Sequence, residues 1–243
     1  MANQLESWSL SKRGGRRRGA GRKSRSGRPN VPHRARPAHC SRHPVLVTLR
    51  ATLGCLRTQS VYPTIRRAVA RANRRAKAAF RVVHYSVQAN HLHLLVEAGS
   101  RDVLSRGLKS LAIALALRLN RLVRRRGQVF GDRWHGRALT TPRAVRHAIV
   151  YVLANFRKHE RQATALVDYY SSAPFFIGFR ELEGVAPVAH RRAGVLRELG
   201  PPSASPVATP KTWLLAAGWQ KGGTIGLREA PRSARLGVER SET

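Results

Sequence analysis

The chain has 243 residues, enough to bury the core of one ordinary domain with additions or of two small ones. Lysine and arginine total 46 against 12 aspartates and glutamates, a formal charge of +34. That balance is silent on fold. It excludes a cationic partner and points to a polyanion, nucleic acid first, with a membrane surface or a ribosome-like setting as the other homes of so basic a protein.

The charge is also unevenly placed. From Ser7 to Val96 there is no acidic residue, so a phosphate chain could lie along this half without meeting a like charge. Such binding is expected to weaken steeply with salt, through counterion release. The two cysteines, Cys40 and Cys55, make neither a disulfide framework nor a Cys-x-x-Cys zinc pair, and His39, Cys40 and His43 lack a fourth ligand at zinc spacing. There is no apolar run of membrane-spanning length and no signal-peptide core at the start. A cytoplasmic protein without membrane contact is expected.

In chain order, the Gly/Arg/Pro-rich stretch within residues 1–42 has almost nothing to bury and reads as a disordered basic arm. Pro44–Arg50 is apolar and β-branched, hence a strand. Tyr62–Ala79 carries Ile65, Val69 and Ala72 at helical spacing, with arginines opposite. Phe80–Val87 and His91–Val96 read as two strands hairpinned through Gln88–Asn90. A long helix spans about Asp102–Arg126, with Leu104, Leu108, Leu111, Leu115, Leu119 and Leu122 as its apolar stripe and Gly127 as its stop. Val129–Phe130 and Trp134–Leu139 read as a strand pair or a strand and loop. Thr141-Pro142 starts a helix running to about His159: a capping residue, then proline at the first position.

The fold class expected from this order is α+β: a ferredoxin-like antiparallel sheet with helices packed on one face. The domain reading is a basic arm over 1–42, a catalytic domain over 43–180, a linker over 181–210 and a small C-terminal appendage over 211–243 with a short helix at Thr212–Trp219.

Four residues draw chemical attention. On a strand, positions i and i+2 point the same way, so His91 and His93 leave one face together, while Leu92, Leu94 and Val96 leave the other. Two adjacent imidazoles can share a divalent cation, although two surface histidines on a strand look the same. Tyr151 and Asn155 are four apart on a predicted helix and share a side. Tyr151 offers a phenolic nucleophile and Asn155 an amide oxygen for a hard cation; packing and capping are the ordinary alternatives. His147, one turn before Tyr151, is a base, a ligand, a phosphate contact or simply a surface histidine. Glu97 reads as a solvated strand-end acid or as support for the histidine pair. Arg106 and Lys109 on the long helix, and Arg133, Trp134 and Arg137 beyond it, mix cations with an aromatic, which suits phosphate contact and base stacking. Trp134 fits the core equally well.

These segments carry a resemblance. NHLHLLVE resembles the His-hydrophobic-His strand of the single-tyrosine HUH transposases, and YVLAN resembles their Tyr-x-x-x-Asn helix. The run VVHYSVQANHLHLLVEA, the basic helix and VFGDRWHGRAL-TTPRAVRHAIVYVLANFRKH are similar to the REP-associated tyrosine transposase branch, over about residues 43–180. TWLLAAGW also resembles a C-terminal motif of related proteins. The resemblance implies that His91, His93 and Asn155 bind Mg²⁺ or Mn²⁺ and that Tyr151 attacks phosphorus to give a 5′-phosphotyrosine, with no nucleotide cofactor. The partner it implies is single-stranded DNA with imperfect hairpins, in a prokaryotic cytoplasm at the nucleoid. Insertion-sequence relatives commonly place Gln where Asn155 stands. Two other classes fit the charge: a domesticated, catalytically inactive binder of structured single-stranded DNA or RNA, and a basic structural or ribosome-associated protein.

Overall fold

A computed structural model describes residues 38–75, 79–159, 165–182 and 205–231. Most of the basic arm and most of the linker read over 181–210 lie outside the described residues. Four strands form one antiparallel sheet: β1 (Val45–Arg50), β2 (Phe80–Val87), β3 (His91–Ala98) and β4 (His135–Ala138), in the order β2-β3-β1-β4. With α1 (Tyr62–Arg75) between β1 and β2, and α2 (Arg101–Leu122) between β3 and β4, this is the ferredoxin-like plan.

The helices do not share one face. Val47, Leu49, Leu92, Leu94 and Val96 look toward α1 and α2, where Ile65, Val69, Leu108, Leu111 and Leu115 meet them. Leu95 and Val83 look the other way, beneath α3 (Pro142–Ala154) and its Val145, Ile149 and Val152. The expectation of helices on one face is thus corrected. The physical reason lies in β3, where Leu94-Leu95-Val96 is an unbroken apolar run, and a strand apolar on both sides must be covered on both.

The helix ends have local causes. Ser100 caps α2 by accepting from the Val103 N–H, and Thr141 caps α3 by accepting from that of Ala144, with Pro142 following. The expected run of α2 to Arg126 stops at Leu122, because Arg124 takes a left-handed conformation (φ 50°). Leu122, placed in the apolar stripe by spacing, is exposed. α3 gives way at Asn155 to the short α4 (Phe156–His159).

The C-terminal segment is a structural part of the sheet's second face and not a free appendage. Leu214 and Leu215 of α5 (Trp213–Ala216), followed by Trp219 and Ile225, fill the core beneath α3. Each such side chain withdrawn from water contributes about 1.5–3 kcal/mol, so detaching the segment is costly.

Glu97, read as solvated or as support for the histidines, does neither: it is 1% exposed. Its carboxylate accepts from Arg81 (2.8 Å), the backbone N–H of Lys211 (2.9 Å) and of Thr212 (2.8 Å), and the Thr212 hydroxyl (2.7 Å). Glu97→Ala would remove the acceptor of two backbone donors and of the Thr212 hydroxyl, with the Arg81 ion pair, and is expected to cost about 3–5 kcal/mol. A urea midpoint equal to wild type would contradict this.

Candidate active site

β1, β3 and β4 set the register. Thr48 is the cross-strand partner of both His93 and His135, Arg50 is that of His91, and Leu46 is that of both Leu95 and Arg137. Directly opposed residues point the same way, so His91, His93, Thr48, His135, Arg50 and Arg137 share the face that α3 covers. The hairpin that launches β3 is held firmly. The Gln88 N–H donates to the His91 carbonyl (2.8 Å), and the turn's own carbonyls, Ala89 and Asn90, accept from Leu56 (2.7 Å) and Ala51 (2.8 Å).

α3 crosses this face with Tyr151 above the histidines. The Tyr151 hydroxyl is 3.0 Å from His93 Nε2, which is 2.9 Å from His91 Nε2. The rings meet edge to face, His93–Tyr151 at 4.8 Å and His91–His93 at 4.5 Å between centroids. Each imidazole has its second nitrogen engaged. His91 Nδ1 lies 2.8 Å from Asn90 Oδ1, and His93 Nδ1 lies 3.1 Å from Thr48 Oγ1. A carboxamide oxygen can only accept, so His91 Nδ1 carries the hydrogen and its Nε2 keeps a lone pair in the neutral ring. When Tyr151 donates to His93 Nε2, two electron-rich nitrogens with no hydrogen between them lie 2.9 Å apart and repel. A proton or a cation between them relieves that repulsion. Outer partners of this kind orient ligating histidines.

Asn155 follows Tyr151 by one turn. It is 1% exposed, and among the described residues neither its Oδ1 nor its Nδ2 has a hydrogen-bond partner. A buried amide is costly to leave unpaired. Among the described residues no group of three His, Cys, Asp or Glu side chains gathers as a cation site. The side chains of suitable chemistry are His91 and His93, which offer imidazole nitrogens, and Asn155, which offers an amide oxygen. Burial pushes the Tyr151 phenol above its ordinary value, and a positive charge beside it would act in the opposite direction.

Beyond Tyr151 opens a cleft of about 970 Å³, lined by His147, Arg137, Arg143, Arg146, Thr141 and Lys221 among others. Arg146 is committed: Glu229 holds it through two bonds (2.7 and 2.8 Å), and the carbonyls of Gly223 and Thr224 take the rest. Arg137, Arg143 and Lys221 are exposed.

Of the residues singled out by sequence, the structure brings together His91, His93 and Tyr151, with Arg137 and His147 along the adjoining cleft. Arg106 and Lys109 are exposed on α2, across the sheet from Tyr151. Arg133 is exposed in the approach to β4. Trp134 packs against the α1/α2 core with its ring over Gly136, where an added Cβ would lie 2.6 Å from the ring. Of its two readings, the core is the one the contacts express.

Sequence reasoning missed Thr48, Arg50, Arg143 and Lys221. The first two need strand register to be seen; the last two need the C-terminal segment placed beside α3.

No protein-family model matches the sequence, and no curated protein is significantly similar to it. Among solved structures, the chain is similar to a REP-associated tyrosine transposase bound to a REP hairpin, at 16% identity and a TM-score of 0.43, over 53% of this chain and 74% of that one. Among the described residues no helix is long and apolar enough to cross a membrane.

Proposed function

We propose that this chain is a metal-dependent nicking and strand-transfer enzyme for single-stranded DNA that carries imperfect hairpins, with Tyr151 as nucleophile. The observation that carries the reading is a phenol seated 3.0 Å from one member of a facing imidazole pair. His91, His93 and Asn155 are the residues that would hold Mg²⁺ or Mn²⁺; when bound, the cation supplies positive charge for a phosphate oxygen and for the Tyr151 phenolate.

The chain's own groups do the rest. Arg137, Arg143 and Lys221 draw the strand's phosphates into the cleft. α3 holds the phenolic oxygen at the wall of that cleft. The Tyr151 proton leaves to water, its oxygen bonds to phosphorus, and the bond to the 3′ oxygen breaks. That oxygen takes a proton from water and departs as a 3′-hydroxyl. The phosphotyrosine keeps the energy of the phosphodiester, so a second 3′-hydroxyl can attack and rejoin the strand without a nucleotide cofactor. Activity at the nucleoid of a prokaryotic cytoplasm follows from this reading.

The test is a denaturing gel of protein incubated with a DNA hairpin bearing a single-stranded flank. A covalent protein–DNA band is expected with Mn²⁺ and absent with EDTA. Hairpin binding that survives EDTA, without cleavage of any hairpin tried, would overturn the reading in favour of an inactive binder. Equal affinity for hairpin and plain duplex would favour a basic structural protein.

A further inference from the structure

The segment TWLLAAGW is not accounted for by the chemistry at Tyr151. Its apolar residues divide sharply. Leu214, Leu215 and Trp219 are buried under α3, whereas Trp213 is 54% exposed. An indole left open forgoes most of its possible burial, and an exposed aromatic beside cations is a feature of surfaces that stack unpaired bases.

The surroundings of Trp213 match that use. Gly218 lies so close beneath the ring that an added Cβ would sit 2.8 Å from it, so the indole is backed by main chain and held flat. The Lys221 ammonium lies 5.2 Å from the ring centroid, within cation–π range. Trp213 also lines a hollow of about 510 Å³, together with Arg42, His43, Lys211 and Thr140. Glu97, bonded to the backbone on either side of the Lys211–Thr212 link, is buried and also paired with Arg81, so it sets no free negative charge against a phosphate.

Lys221 ties Trp213 to the catalytic side, because it stands over that indole and also lines the cleft of Tyr151. We propose that Trp213, with Arg42 and Lys211, is a second binding site for single-stranded DNA, in which an unpaired base stacks on the indole and its flanking phosphates meet the two cations. Resting on the reading of Tyr151 as nucleophile, this makes the site a grip on the same strand as it leaves the cleft past Lys221.

The test uses the full chain in EDTA and a fluorescein-labelled single-stranded DNA of mixed sequence, with the matching duplex as competitor. Single-stranded DNA is expected to quench the tryptophan emission of the wild type. Trp213→Ala should lose most of that quench and bind roughly ten-fold more weakly, the lower part of the range for one stacked base. Trp213→Phe keeps a ring over Gly218 and should recover most of the affinity. Lys211→Ala should instead reduce the dependence of affinity on salt. An affinity for Trp213→Ala equal to wild type, or duplex competing as well as single strand, would overturn the proposal. The covalent band with Mn²⁺ separates the two readings. If it still forms with Trp213→Ala at saturating DNA while affinity is unchanged, the stacking site alone is wrong; if wild type never forms it, the assignment of Tyr151 is wrong whatever Trp213 does.

Discussion

Tyr151→Phe is expected to leave no covalent protein–DNA product while binding hairpin DNA as tightly as wild type. The substitution removes one oxygen and keeps the ring that meets His93 edge to face at 4.8 Å, so α3 should stay where it is. What is lost is the oxygen that, on the proposed function, bonds to phosphorus. Removing a covalent nucleophile costs on the order of 10⁶ in rate in well-studied hydrolases, far below what a gel detects. The pH dependence follows from the same oxygen. Burial disfavours the phenolate and raises the pKa, so without cation the deprotonated form gains population only above the usual tyrosine range. Positive charge placed beside it acts in the opposite direction. The alkaline rise in adduct formation should therefore move to lower pH as Mn²⁺ is added. A covalent band from Tyr151→Phe would place the nucleophile on another residue.

Asn155→Leu is expected to move stability and function in opposite directions. Both polar atoms of this side chain are buried, and neither has a hydrogen-bond partner among the described residues. Leaving such groups unmet costs about 1–3 kcal/mol, and an apolar side chain of similar volume removes that cost. In EDTA the variant should melt higher than wild type. In Mn²⁺ the order should reverse, because wild type gains from ligand binding and the variant has lost an oxygen donor. Thermal melts with and without the metal measure both effects. Equal Mn²⁺-induced stabilisation in the two proteins would remove Asn155 from the ligand set. A lower melting point for the variant in EDTA would mean that the amide was already satisfied.

The histidine pair was legible because alternation along a strand needs no tertiary information: residues two apart share a side. The four-residue spacing from Tyr151 to Asn155 was legible on the same grounds. The covering of both sheet faces was also written in the chain, in the run Leu94-Leu95-Val96, but the alternation around His91 and His93 suggested a strand with one wet face. Register was not legible. Thr48 reaches His93 across 45 residues, and no local pattern marks that threonine out from others in β-branched strands. Glu97 failed for a related reason: an acid at a strand end ordinarily faces water, and the partners that make its burial tolerable lie 114 and 115 residues away. The end of α2 depended on the backbone of Arg124, where arginine gives no warning of a left-handed turn.

The bonds from Glu97 to Lys211 and Thr212, and from Arg146 to Glu229, have a consequence for the order in which the site is completed. One ties the C-terminal segment to β3, the strand of the histidines; the other ties it to α3, the helix of the tyrosine. During synthesis the sheet and its imidazole pair emerge well before residues 211–229. A nascent chain can thus already present its basic surface while Tyr151 still lacks the brace that ties α3 to residues 223–229. On the proposed function, competence to cut waits until residues 211–229 have been made and have docked on β3 and α3.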